Sequence, residues 1–258
     1  MKTNSGDTWR HSLAEWAIPD EILSQAPESP WIHPPVMFQL PDEIEDSISH
    51  QRAREVLLDG NAVLDIGCGG GIAAFALVPP VKHVIGVDHQ LEMLEMFAAN
   101  AKSRAITSEV FKGFWPLVVH EVPNADVVTA HHVVYNVFDI EDFILQMNSH
   151  ARKRVVIEMP QSHPLTSATP LWKHFWNLDR PSKPTHTDLM HVLEELGIQA
   201  HLELWEGSMR TEVDLETQAH FSRIRLCLPE ARESEVLEFL RTQPKVAIRE
   251  LATIWWDV

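Results

Sequence analysis

The chain has 258 residues, about 1.7 times a 150-residue domain, and 45% of them are apolar and 22% charged. This fits one large globular domain with inserts and excludes disordered, collagenous and repeat architectures. With 21 Lys and Arg against 37 Asp and Glu, the formal net charge is −16, a mean field that repels a nucleic-acid backbone. Cys68 and Cys227 are too few and too far apart for a disulfide framework or a C-x-x-C motif. The N-terminus has no apolar leader core, and the longest apolar run, Ile72 to Val78, falls short of a bilayer span, so a cytoplasmic protein with no membrane partner is expected.

In chain order, residues 8–40 carry Trp9, Trp16 and a proline-rich stretch from Ser29 to Phe38. Short helices and an extended covering segment are expected there, because proline breaks any longer helix; residues 1–41 read as a cap ahead of the main domain, 42–258. From Asp42 to Leu58 the apolar positions Ile44, Ile48, Ala53, Val56 and Leu57 predict a helix that Asp59-Gly60 ends. Strands are predicted at Ala62–Ile66, His83–Asp88, Ser108–Phe111, Asp126–Ala130, Arg154–Glu158, Gln199–Trp205 and Ile248–Trp256. Between them lie helical spacings such as Leu91, Leu94, Ala98 and Ala101, or Ile140, Phe143, Ile144 and Met147 behind Asp139 as N-cap. Thr185 or Thr187 starts another helix that Gly197 stops. Strands alternating with helices imply an α/β fold with a mostly parallel sheet covered on both faces. A lid insert over 160–185 and two helices separated at Pro229 over 214–242 interrupt the pattern.

The run Val63-Leu64-Asp65-Ile66-Gly67-Cys68-Gly69-Gly70-Gly71-Ile72 is an apolar strand passing directly into a glycine-rich turn. Such a turn brings bare backbone against a ligand. The next strand, His83 to Asp88, ends on an acid 21 residues after Gly67, where a carboxylate can accept both hydroxyls of a ribose. The combination points to a nucleoside-type cofactor. The dinucleotide fingerprint G-x-G-x-x-G fits poorly and leaves Asp65 without a role.

An acid two residues before G-x-G-x-G, the pattern formed by Asp65, Gly67, Gly69 and Gly71, resembles the first motif of the class I S-adenosylmethionine-dependent methyltransferases. The chain looks closest to an unassigned bacterial branch that shares His131-His132-x-x-Tyr135-Asn136, Leu171-Trp172-x-His174-Phe175 and Arg225-Leu226-Cys227-Leu228-Pro229. The resemblance implies a Rossmann-like, doubly wound, seven-stranded sheet with an antiparallel last strand, and S-adenosylmethionine as cofactor. It implies that Asp65 faces the methionine ammonium and Asp88 binds the ribose beside His89. Met93 would pack on adenine, and Cys68 and Gly69 would lie near the amino-acid end. The family's usual acid after the third strand is missing from Lys112-Gly113-Phe114-Trp115-Pro116, so backbone and Phe114 or Trp115 are expected to hold the adenine.

Open α/β sheets bind ligands at the carboxyl ends of their strands, which makes His131, His132, Tyr135 and Glu158 the candidates for acceptor chemistry. A histidine titrates near neutral pH and can take a proton from a hydroxyl or amine, or can simply cap the strand. Glu158 reads equally as a substrate-side acid and as an anchor for a backbone turn. The aromatic segment Leu171 to Trp176 reads equally as an apolar lid and as helix packing. Two adjacent histidines in extended chain point to opposite faces, and with no H-E-x-x-H motif or cysteine pair no metal site is expected. The reading is methyl transfer to oxygen, nitrogen or carbon of a small-molecule acceptor. Its rivals are an RNA or ribosome methyltransferase using Arg152-Lys153-Arg154 as a basic patch, and a cofactor-binding regulator without turnover.

Overall fold

Runs of Val, Ile and Leu without a polar face build the centre of the molecule, as strands buried on both sides require. The computed structural model describes residues 4–31, 40–41, 43–208, 213–244 and 248–258. Among these, strands β1 (Ala62–Ile66), β2 (His83–Asp88), β3 (Thr107–Lys112), β4 (Ala125–His131), β5 (Ala151–Pro160), β6 (His201–Ser208) and β7 (Ile248–Asp257) form one sheet in the order β3-β2-β1-β4-β5-β7-β6. The first five run parallel, whereas β7 lies antiparallel to both β5 and β6. The winding reverses between β1 and β4, which opens a crevice at their carboxyl ends. No helix among the described residues is long and apolar enough to cross a membrane.

Helices cover the two faces through the spacings read from the sequence. In α5 (Leu91–Ser103) Met93, Leu94, Phe97 and Ala101 are buried, and in α6 (Ile140–His150) Ile140, Phe143, Ile144 and Met147 are. Asp139 occupies the N-cap of α6 but caps nothing with its side chain, which pairs instead with Arg10 at 3.0 Å. One helix is shorter than expected. The one predicted over 42–58 is α3 (Ile48–Arg54), because Ser47 is extended and its hydroxyl accepts the His50 N–H at 3.3 Å, a side-chain cap that sets the start. The alanine-rich helix after the glycine turn is a single turn, α4 (Ile72–Phe75), so loop backbone, not a helix dipole, faces the crevice there.

The three segments outside the alternating pattern meet. Helix α1 (Ser5–Ala14) joins the body, where Trp9 is fully buried and its indole N–H donates to the Val137 carbonyl at 2.9 Å. The rest of the N-terminal region, with α2 (Asp20–Leu23), packs against α7 (Thr169–Trp176), α9 (Leu215–Arg225) and α10 (Glu233–Thr242) in a separate apolar cluster of Ile18, Ile22, Trp172, Leu226, Leu228 and Val236. The buried Arg223 ties this cap together, reaching Glu28 at 2.8 Å and Glu233 at 3.1 Å. Helix α8 (His186–Glu195), capped by Thr185, returns the chain to the body. The covering segment expected up to Phe38 lies, from residue 32 onward, outside the described residues.

Cap and body touch at His163. Its ring stacks on Trp16 at 4.0 Å and 17°, and meets Tyr135 edge-on at 5.8 Å. Burial, reinforced by the nearby Arg180 charge, pulls its pKa down to about 4. An unfolded histidine titrates near 6.5, so between 6.5 and 4 the unfolded chain holds the extra proton and stability rises with pH through that window. Acidification from pH 7 to 4.5 is therefore expected to cost the wild type about 2 kcal/mol more than it costs His163→Phe, measured by urea unfolding at both pH values. Equal acid losses in the two proteins would contradict this role.

Candidate active site

The turn after β1 is built to leave backbone bare. Gly67, Gly69 and Gly71 all have left-handed backbone, with φ of +66°, +50° and +93°, a region costly for any residue with a Cβ. A Cβ on Gly67 would lie 2.5 Å from Val133 Cγ2, and one on Gly71 2.3 Å from the Phe75 ring. Asp88, at the carboxyl end of β2, spans this turn and the next: one oxygen accepts the Gly69 N–H at 3.1 Å, the other the Gln90 N–H at 2.9 Å. Each carboxylate oxygen has a further lone pair for a ligand hydroxyl. Asp65, buried in β1, is backed by the Thr129 hydroxyl at 3.2 Å.

Around Asp88 lie planar and apolar surfaces. The His89 ring stacks on Phe114 with centroids 4.6 Å apart, and its Nδ1 lies 3.5 Å from Asp88; Phe114 is exposed and Met93 is buried below on α5. Two residues expected at the cofactor point elsewhere. Trp115 turns into the main core and donates its indole N–H to the Phe143 carbonyl at 3.3 Å, because residues adjacent in an extended turn face opposite ways. The Cys68 side chain packs inward against Gly86, where an added Cβ would come 2.9 Å from the sulfur. Burial, followed by the charges of Asp65 and Asp88, pushes its thiol well above the ordinary range. Only the backbone of Cys68 is left to serve the turn.

Across the crevice, the ends of β4 and β5 bring together the residues expected for acceptor chemistry. Glu158 is completely buried and accepts a hydrogen bond from the Ser47 hydroxyl at 3.0 Å. His132 Nε2 lies 2.9 Å from one Glu158 oxygen and His131 Nδ1 3.9 Å from the other. The structure corrects the expectation that the two histidines face opposite sides. His132 has φ of +61°, which ends the extended run and turns its ring back towards Glu158, while its N–H donates to the Glu158 carbonyl at 2.7 Å. A non-glycine residue held in this region is found where surrounding contacts over-determine it, often at functional sites. Tyr135 lies one turn on, where its ring meets that of His163 edge-on.

Ser47 and His50 join this cluster, although the apolar spacing predicted both inside a helix. His50 stacks on His131 at 5.4 Å, and Ser49 and Thr253 hydroxyls meet at 2.7 Å beside them. The signal that could have found them is the Ser47-x-x-His50 spacing, in which a serine N-cap starts α3 three residues before a histidine. Among the described residues, no group of three or more His, Cys, Asp or Glu side chains has metal-holding geometry.

Comparisons with known proteins agree with this geometry. Residues 39–202 match the model of a family described as a methyltransferase domain. An uncharacterised Haemophilus influenzae protein is 30% identical over 210 residues, 76% of either chain. Protein arginine N-methyltransferase 1 of Dictyostelium discoideum is 32% identical over 126 residues, which cover 46% of this chain but 35% of that protein. Solved structures with the same fold include YcgJ of Bacillus subtilis, with a TM-score of 0.55, 15% identity, and 81% of this chain and 97% of that one covered. Magnesium protoporphyrin IX methyltransferase of Synechocystis with bound S-adenosylhomocysteine aligns with a TM-score of 0.51 and 16% identity over 81% and 80% of the two chains. With the family model covering most of the sheet and both crevice-forming turns, the chain belongs to the class I S-adenosylmethionine-dependent methyltransferases.

Proposed function

We propose that this enzyme moves the methyl group to a nucleophilic oxygen, nitrogen or carbon of a small molecule bound at the carboxyl edge of β4 and β5, with His132 as the base. The observation that carries this reading is the fully buried Glu158 carboxylate flanked by Ser47 and His132 beside the cofactor crevice. When bound, the cofactor supplies an electrophilic methyl on a sulfonium. The residues present fit it: bare turn backbone at Gly67 to Gly71, the free lone pairs of Asp88 for ribose hydroxyls, and His89, Phe114 and Met93 as surfaces for adenine. Asp65 offers negative charge to the methionine ammonium.

Displacement at a methyl needs alignment and dry surroundings more than many catalytic groups. The cap supplies the enclosure. His132 takes the acceptor's proton, and the buried carboxylate stabilises the resulting imidazolium. His132 suits the role better than His131, because its side chain is 18% exposed against 6% and lies nearer the carboxylate. The small-molecule reading is favoured over RNA by the net charge of −16 and by the fate of the basic run. Arg154 is paired with Asp257 and Glu55 at 2.7 Å, Lys153 reaches Asp126 at 3.6 Å, and β5 begins there, at the edge remote from the crevice. Both cysteines are free and buried, which fits the reducing cytoplasm.

Asp88→Ala is expected to weaken S-adenosylhomocysteine binding about 10- to 150-fold by calorimetry, the loss of hydrogen bonds to a charged group. Asp88→Asn should fall between, since one oxygen still accepts a turn N–H. Unchanged affinity in both would remove Asp88 from the site.

Turnover, followed as label passing from the cofactor into small molecules of a cell extract, should drop about 10²- to 10⁴-fold in His132→Ala with cofactor affinity intact. Glu158→Gln should also slow the reaction and move the acid limb of the pH–rate profile to lower pH, because losing the carboxylate favours neutral imidazole. Losses of only a few fold with an unmoved profile would mean that the acceptor arrives deprotonated.

A further inference from the structure

Helix α3 lies against the sheet where the proposed base is seated, and it is held there by bonds that do not involve the base. Ser49 of α3 meets Thr253 of β7 hydroxyl to hydroxyl at 2.7 Å, the Arg52 side chain reaches Glu203 of β6 at 2.6 Å, and the Arg52 carbonyl accepts from the Arg154 guanidinium of β5 at 2.6 Å. Thr253 is also the register partner of Glu158 across β7 and β5, so Ser49 is anchored on the strand beside the carboxylate. Contacts with three strands fix the place of α3, and Ser47 is delivered to Glu158 by that placement.

The Ser47 hydroxyl has one hydrogen to give and two lone pairs to receive with. As N-cap it accepts the His50 N–H at 3.3 Å, and His50 Nδ1 in return accepts the Ser47 N–H at 3.2 Å. An oxygen engaged in this way keeps its hydrogen for another partner, and that partner is Glu158 Oε2 at 3.0 Å. Capping alone does not account for this contact, since the cap uses only a lone pair of the hydroxyl. Ser47 is 6% exposed and Glu158 0%, so little water competes and a hydrogen bond to the carboxylate carries most of its electrostatic weight. The other oxygen, Oε1, faces His132 Nε2 at 2.9 Å.

We propose that Ser47 is a positioning residue for the His132–Glu158 pair: its hydroxyl holds the carboxylate towards His132 and lowers the proton affinity of the pair, so that the imidazole is free to accept a proton near neutral pH. The inference rests on the proposed reading of His132 as the base. Its sign follows from charge. A donor on Oε2 draws negative charge off the carboxylate, so the pair binds a proton less tightly with the hydroxyl than without it, and two groups this close titrate as a unit. The other groups around the pair are His131 of β4, 3.9 Å from Glu158, and His50 of α3, which stacks on His131. Tyr135 follows one turn on from His132, Asp65 stands on β1, two strands from β5, and the acids ahead of α3, Glu45 and Asp46, are turned to Ser208 and Arg54.

The test titrates the full chain, labelled with ¹³C in its histidine rings, and reads the His132 Cε1–H signal, assigned by its loss in His132→Ala. In Ser47→Ala and Ser47→Gly the apparent pKa should rise by about 0.5–1 unit, the worth of one hydrogen bond to the pair. Ser47→Thr, which keeps the hydroxyl, should restore the wild-type value. Glycine is the sharper variant, because it caps a helix nearly as well as serine and has no side-chain donor. Ser47→Cys, with a weaker donor, should give a smaller rise and stands in if neither of the other two loss variants folds. The acid limb of the pH–rate profile, followed as label passing from the cofactor into small molecules of a cell extract, should move to higher pH by the same amount, opposite to the shift expected for Glu158→Gln.

An apparent pKa unchanged or lowered in these loss variants, with only the unfolding midpoint reduced, would make Ser47 a helix cap alone and overturn the proposal. The titration needs neither cofactor nor acceptor. A raised pKa with an unmoved acid limb would therefore uphold the hold of Ser47 on the pair and contradict instead the reading of His132 as the base.

Discussion

The hydrogen bonds that Asp88 accepts from Gly69 and Gln90 join the two turns on which the cofactor crevice depends. Parallel pairing of β1 with β2 sets the Gly67 turn beside the end of β2, and the Gly67 and Cys68 N–H groups also bond back to the Val87 carbonyl at 2.8 and 3.1 Å. Three left-handed glycines then keep side chains away from the space above. Asp88 is at once the clasp of the turn and the acid proposed to meet the ribose, so the crevice is held together by the chain's own hydrogen bonds. Such preorganisation lowers the ordering cost of binding.

The same edge of the sheet carries a second buried acid with a different task. Glu158 sits at the end of β5, held by Ser47 from outside the sheet and faced by two histidines from β4. Asp88 is bonded by backbone N–H groups, whereas Glu158 is bonded by a hydroxyl and approached by titratable rings. The first arrangement suits neutral hydroxyl donors, and the second suits a group that must take up a proton. The cap has an apolar cluster of its own, separate from the two that cover the sheet, and meets the β4 end through the Trp16, His163 and Tyr135 rings.

Much of this was legible in the sequence because it is local. Strands β1 and β2 lie at their predicted bounds, since apolar runs meet glycine or acid at each end, and Asp65, Gly67, Gly69, Gly71 and Asp88 are read from one continuous stretch. The misses depend on contacts distant in sequence. Ser47 and His50 gain their roles only when α3 packs beside β5 and β7, 111 residues from Ser47 in the case of Glu158. Trp115 and Phe114 are adjacent aromatics, and only the packing of the core decides which one turns inward. No periodicity foretold that Ile18, Ile22, Trp172 and Val236, from three separate segments, share one cluster. The left-handed backbone of His132 is set by the hydrogen bond its N–H makes to the Glu158 carbonyl on the neighbouring strand, a contact 26 residues away in sequence.

Binding of S-adenosylmethionine by the glycine turn and Asp88 underlies every proposed step. Titration of the ¹⁵N-labelled chain with S-adenosylhomocysteine, and separately with NAD, tests it most directly. One molecule of S-adenosylhomocysteine per chain is expected, bound at micromolar concentration, with the largest shifts at the Gly69, Gly71 and Gln90 amides and at His89. Binding of NAD to those amides without binding of S-adenosylhomocysteine would contradict it.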